Sequence, residues 1–227
     1  MPSPSSKSAF ASIASIASIG STASFLPMVY LHLLAGTGIT FASSKHPLSE
    51  SPVYKLIVLV VPLFLVMALC FMSAGPLKYA IGLLFCVLLG QGLSSLVKKL
   101  EHKELLTQVM ASVLGIFLAM SAVGFYDNQN LLGFGGYLLA ALVGLILARV
   151  ALLLYAYFNG IDSKTGSSIN TALSWFGTAL FSIYVAFDTQ RVKEDAKLKK
   201  RDYVQSSLGL YLDIINLFTG VSDILDA

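Results

Sequence analysis

The sequence predicts an all-α polytopic membrane protein: seven transmembrane helices, with a polar last helix at the centre of the bundle. Three observations predict it. Of 227 residues, 56% are hydrophobic and only 12% charged, where a soluble domain carries about 25% charged. Mean hydropathy is +0.78. Charge-free runs of 22, 19, 22 and 23 residues follow Lys55, Lys78, Glu104 and Lys164, and a spanning helix needs about 20 mostly apolar residues. Seven such helices leave only short connections. A sizeable soluble domain, nucleic-acid binding as the main role and a disulfide scaffold are thereby excluded.

Residues 1–22 are low in complexity, with ASIASIAS at their centre, and read as a flexible N-terminal tail. The membrane domain is expected over 23–222, with a short acidic C-terminal tail over 223–227. The first span is Phe25 to Ala42, the second Leu56 to Ser73, the third Tyr79 to Val97 and the fourth Leu105 to Phe125. The fifth, Leu131 to Phe158, is longer and contains Arg149. The sixth, Ile169 to Phe187, ends at Asp188. The seventh, Tyr203 to Val221, carries Gln205, Ser206, Ser207, Asp213 and Asn216. Polar groups inside a bilayer must find partners within the protein. This last helix therefore sits inside the bundle, or enters without fully crossing. Cys70 and Cys86 fall in apolar runs and read as reduced packing residues. The three histidines, His32, His46 and His102, are scattered and make no metal cluster.

Orientation follows from the basic residues. With seven crossings, the N-terminal side carries eight Lys and Arg and the opposite side six. The dense run RVKEDAKLKKR places the N-terminal side in the cytosol.

Ionisable groups inside spans are costly and are functional candidates. Asp213 lies near the centre of its segment, ten uncharged residues after Asp202 and nine before Asp223. A lone carboxylate there must be paired, hydrated or protonated. If Asp188 faces it from the neighbouring helix, the two can share a proton. Such a pair is a proton-dependent latch: protonated it bonds two helices, and ionised it offers oxygens to a hard cation such as Ca²⁺. The bland alternative for Asp188 is an interfacial pair with Arg191, one turn on. Arg149 is the obvious countercharge, or else snorkels along its helix. Asn216 is three residues after Asp213, and Tyr184 one turn before Asp188, so both are supporting candidates. His32 reads as a hydrogen-bonded core residue.

Two segments are distinctive. SIYVAFDTQR, residues 182–191, and LGLYLDIINLF, residues 208–218, together resemble the penultimate and last helices of the transmembrane Bax inhibitor motif family. VYLHLLAGTGIT, residues 29–40, resembles its first helix more loosely. The resemblance spans about residues 25–221. It implies six helices around a central seventh, with Asp188 and Asp213 as the pH-sensing pair. It also implies a pH-sensitive Ca²⁺ leak in an intracellular membrane such as endoplasmic reticulum or Golgi, and inhibition of cell death. The implied partners are the lipid bilayer, Ca²⁺, protons and other membrane proteins of cell-death or Ca²⁺ signalling, with no cofactor and no nucleic acid. One departure stands out. Bacterial relatives use an acidic residue and an Arg on the second helix, and Leu56 to Ser73 has neither.

Two other classes are weighed. Paired aspartates suggest an intramembrane aspartyl protease. That chemistry expects Gly-x-Gly-Asp at the second aspartate and a later Pro-Ala-Leu; here the run is Leu210-Tyr211-Leu212-Asp213, and no Pro follows Pro76. The chain is therefore not expected to be an enzyme. The other class is a non-conducting membrane protein that restrains cell-death or channel partners.

Overall fold

Apolar runs of about 20 residues can satisfy their backbone in lipid only as helices or closed barrels, and this chain takes the helical solution. A computed structural model describes residues 4–49, 51–126, 130–160, 163–198, 200 and 202–227. The helices are α1 (Pro4–Lys45), α2 (Pro52–Phe71), α3 (Pro76–His102), α4 (Leu106–Tyr126), α5 (Gly135–Asn159), α6 (Ser163–Lys197) and α7 (Tyr203–Leu225), with a 3₁₀ turn at Leu131–Phe134 before α5. Seven of them are long and apolar enough to cross a membrane, α1 through its portion Phe25–Lys45.

Local chemistry fixes the starts. Pro52 and Pro76 open α2 and α3, where the missing N–H costs nothing. Ser51 Oγ accepts from the Tyr54 N–H at 3.2 Å, capping α2. Asp202 Oδ1 accepts from the Gln205 N–H at 3.0 Å, capping α7.

Three boundaries differ from the sequence reading. α1 begins at Pro4, so residues 4–22, expected as a tail, continue the helix. α6 does not end at Asp188 but runs on to Lys197. Ion pairs spaced three residues apart, Asp188 with Arg191 and Glu194 with Lys197, lie along the extension and support the helix, one face of which buries Val192 and Ala196. α7 continues to Leu225, so Asp223 belongs to its last turn, not to a tail.

α7 is the central helix. It packs against α1, α3, α4 and α6, whereas α2 leans on α3 and α5 on α6. Its apolar window has the largest buried share of the seven spans, 44%. Glycines permit the closest approaches between its neighbours. A Cβ at Gly90 would meet the Thr40 carbonyl of α1, and one at Gly124 would meet the Ala186 carbonyl of α6. Large apolar side chains such as Leu59, Phe64, Leu153 and Trp175 point outward, as lipid-facing positions do.

α7 crosses fully. At 23 residues it is about 34 Å long, against a hydrocarbon core of about 30 Å. Lys78, at the start of α3, pairs with Asp202 at the start of α7 at 2.6 Å. Lys99 and Lys103, at the end of α3, pair with Asp226 at the end of α7. The two helices thus run side by side from one face to the other. The face with the α2–α3, α4–α5 and α6–α7 connections is called the first face here, and the opposite one the second.

Candidate functional site at the α6–α7 interface

α6 and α7 are consecutive antiparallel helices, and their shared interface carries an unusual density of polar side chains. From the first face inward, Asp195 comes first. It is 6% exposed, accepts from Ser206 Oγ at 2.8 Å and pairs with Lys200 at 2.6 Å. Two turns deeper on the same face of α6 lies Asp188, buried at 8% exposure. Its carboxylate rests against Gly209 of α7, where a Cβ would collide with it. Arg191 Nη1 stands 4.0 Å from Asp188 Oδ1.

Asp213 follows Gly209 by one turn, which puts it on the same face of α7. It is 4% exposed, and its Oδ2 finds no hydrogen-bond partner. The Asp188 carboxylate lies against Gly209, so it meets α7 one turn from Asp213 on the face that Asp213 shares, while the Tyr184 ring packs against Phe181 and Phe187 of its own helix. The structure therefore brings Asp188, Asp213 and Arg191 to one stretch of the α6–α7 interface, with Tyr184 one turn before Asp188 on α6. Burying two like charges side by side is unfavourable unless a proton or a cation intervenes. The arrangement can do either.

Other candidates fall elsewhere. Arg149 is not beside the aspartate pair. Its Nη1 lies 3.7 Å from Asp223 Oδ2, and its Nη2 donates to Ser174 Oγ at 3.1 Å. Asp223 is ten residues past Asp213, about 15 Å along the helix. Asn216 does not reach the carboxylates either; its Nδ2 donates to the Leu212 carbonyl one turn back at 2.8 Å. His32 is stacked on Tyr203 at 5.7 Å and bonded to the Met28 carbonyl at 2.7 Å. Cys70 and Cys86 are both free, Cys86 buried and Cys70 exposed.

The sequence reading missed three partners. Asp195 was placed in a connection, although its spacing of seven from Asp188 is a same-face signal once α6 is known to continue. Asp223 was placed in a tail. Lys78 was counted as a loop charge, yet it is 1% exposed. It donates to Asp202 Oδ2, Gln205 Oε1 and the Met72 carbonyl.

As for metal, no group of three or more His, Cys, Asp or Glu side chains suited to a metal ion occurs among the described residues. Two carboxylates are too few for a resident Ca²⁺, which takes six to eight oxygens at about 2.3–2.6 Å.

The chain was compared with known proteins. The family model described as "Inhibitor of apoptosis-promoting Bax1" (Bax1-I) matches residues 22–227. A Schizosaccharomyces pombe protein named Bax inhibitor 1 is 31% identical over 150 residues, 66% of this chain and 52% of the yeast protein. An uncharacterised Borreliella burgdorferi protein is 30% identical over 146 residues, 61% of this chain and 59% of that one. The Escherichia coli inner membrane protein YbhL is 31% identical over 112 residues, 46% of this chain and 44% of that protein. The matched chain spans about half the length of these relatives.

Proposed function

The chain belongs to the Bax inhibitor family, and from that premise we propose that it is a pH-sensitive, Ca²⁺-permeable leak of an intracellular membrane that inhibits cell death. One observation carries the reading: two buried carboxyls, Asp188 and Asp213, share the α6–α7 interface, Asp188 lying against Gly209 one turn from Asp213 and Asp213 holding an unpartnered oxygen. A proton shared between them bonds α6 to α7. Loss of that proton leaves two adjacent negative charges in the bundle, which repel each other and attract a cation. Arg191, 4.0 Å from Asp188, and Asp195, two turns away on the same face of α6, are the charges that flank the pair on this helix. The family's description as an inhibitor of apoptosis-promoting Bax1 supports the cell-death part. An endoplasmic reticulum or Golgi setting is part of the same proposal. So is contact with other membrane proteins of cell-death or Ca²⁺ signalling.

The test is Ca²⁺ flux into liposomes holding the pure protein, over about pH 5 to 8, the physiological range. The expected result is pH-dependent flux that Asp213→Asn flattens. Absence of flux at every pH from folded protein would remove the leak. The reading that then stands is a non-conducting membrane protein that restrains cell-death or channel partners.

A further inference from the structure

The polar seam does not stop at Asp213. Two turns nearer the second face, Gly220 of α7 faces Thr178 of α6, and a Cβ at Gly220 would lie 2.5 Å from Thr178 Oγ1. Thr178 is 7% exposed, and its Oγ1 has no hydrogen-bond partner. One turn further, Ser174 is fully buried and donates through Oγ to Asp223 Oδ2 at 2.8 Å. Hydroxyls and a carboxylate are the hard oxygen donors that cations take. A cation is in fact there: the Arg149 guanidinium, reaching in from α5. It donates to Ser174 Oγ at 3.1 Å and to Asn170 Oδ1 at 3.5 Å, and lies 3.7 Å from Asp223 Oδ2. Arg149 is the only charged residue of α5, and α5 packs on α6 at the edge of the bundle.

The pairing is loose. A bidentate guanidinium–carboxylate fork would be the durable form, and here no bidentate contact is made. The side chains of Arg149 and Asp223 are 39% and 30% exposed, and the single contact between them lacks the second parallel hydrogen bond of a fork. An arginine so held is removable. Lys99 and Lys103 are engaged with Asp226 instead.

We propose that Arg149 is a tethered cation that plugs a second cation station, formed by Asp223, Ser174 and Thr178, at the second-face end of the α6–α7 seam. This rests on the leak reading for its physiological meaning, but not for its test. With Arg149 in place, a mobile cation is excluded from the station by charge and by volume. With Arg149 displaced, the station opens toward the unpartnered Thr178 hydroxyl and, beyond it, Asp213.

The experiment is the labelling rate of Thr178→Cys by a cationic, water-soluble methanethiosulfonate reagent in detergent micelles. The chain with Thr178 intact serves as the blank for Cys70 and Cys86. With Arg149 present, labelling is expected to be slow. Arg149→Gln should raise the rate roughly tenfold or more, the range over which coupled side chains act. Arg149→Lys, which keeps a tethered cation, should keep it slow. Asp223→Asn, which releases the arginine, is the second route to the open state if Arg149→Gln does not give a monodisperse protein. Equal rates in all four chains would overturn the plug. Ca²⁺ flux separates the two readings. Faster labelling with no flux from any chain keeps the plug and removes the leak. Flux from the wild type with labelling unchanged by Arg149→Gln keeps the leak and removes the plug.

Discussion

Gly209 is small because Asp188 needs the space. Its position between Leu208 and Leu210 looks like packing in sequence, yet the carboxylate of Asp188 lies where its Cβ would be. Gly209→Ala should push the two carboxyls apart and cost about 1–3 kcal/mol, the usual penalty for overpacking. The checks are thermal unfolding in detergent and the pH profile of flux, which should shift in the same variant. A second residue-scale expectation concerns Asp226. Hydrogen bonds from Lys103 and then Lys99 hold its carboxyl below its ordinary value of 3.8. A carboxyl lowered by folding stabilises the fold above its unfolded pKa, and the contribution is lost as pH falls through the folded one. The last turn of α7 should therefore loosen on acidification below about pH 4, seen as faster amide hydrogen exchange at residues 223–226. Asp226→Asn should exchange fast at all pH values. The pair lies near the surface, so its worth is at most about 1 kcal/mol.

At the scale of elements, the central question is why so polar a helix as α7 is stable inside the bundle. Each end is clamped by a lysine of α3, and the middle is shielded by α1, α4 and α6. Lys78 is the stronger clamp, because it is buried and satisfies three acceptors at once. Lys78→Met should leave Asp202 Oδ2 and Gln205 Oε1 without their shared donor and cost about 1–3 kcal/mol, read as a lower unfolding temperature with the same helix content. The seven spans were legible in sequence because charge-free runs report on lipid exposure directly. The polarity of residues 203–221 marked that helix as interior. The end of α6 was not legible, since Asp188 looks like the border of a span. Only the tertiary fit of Asp188 against Gly209 shows that the border lies further on. Asp195 and Asp223 escaped for the same reason: their burial depends on which helix faces them. Arg149, expected as the countercharge of the aspartate pair or as a snorkelling side chain, meets a different carboxylate. Its partner, Asp223, lies about three turns from the aspartate pair.

For the whole molecule, the paired ends of α3 and α7 mean that seven helices alternate across the membrane. Residue 200 and Asp226 are thus on opposite faces. Single cysteines placed at the two positions should react with an impermeant reagent from opposite sides of sealed vesicles, and labelling of both from one side would make α7 re-entrant. An apolar cavity of about 920 Å³, bordered by α1 and α4, reaches Ile214, Ile215 and Phe218 of α7. The central helix thus has an apolar cavity on one flank and a polar contact with α6 on the other, and in the proposed latch one proton at that contact governs the position of the helix. The most direct test of that claim is the pH profile of Ca²⁺ flux for Asp188→Asn, Asp213→Asn and the double variant. Two carboxyls acting as one latch should give a double variant no more altered than either single, the non-additivity of residues that work as a unit. Effects that simply add would contradict the latch and leave the two aspartates as independent groups.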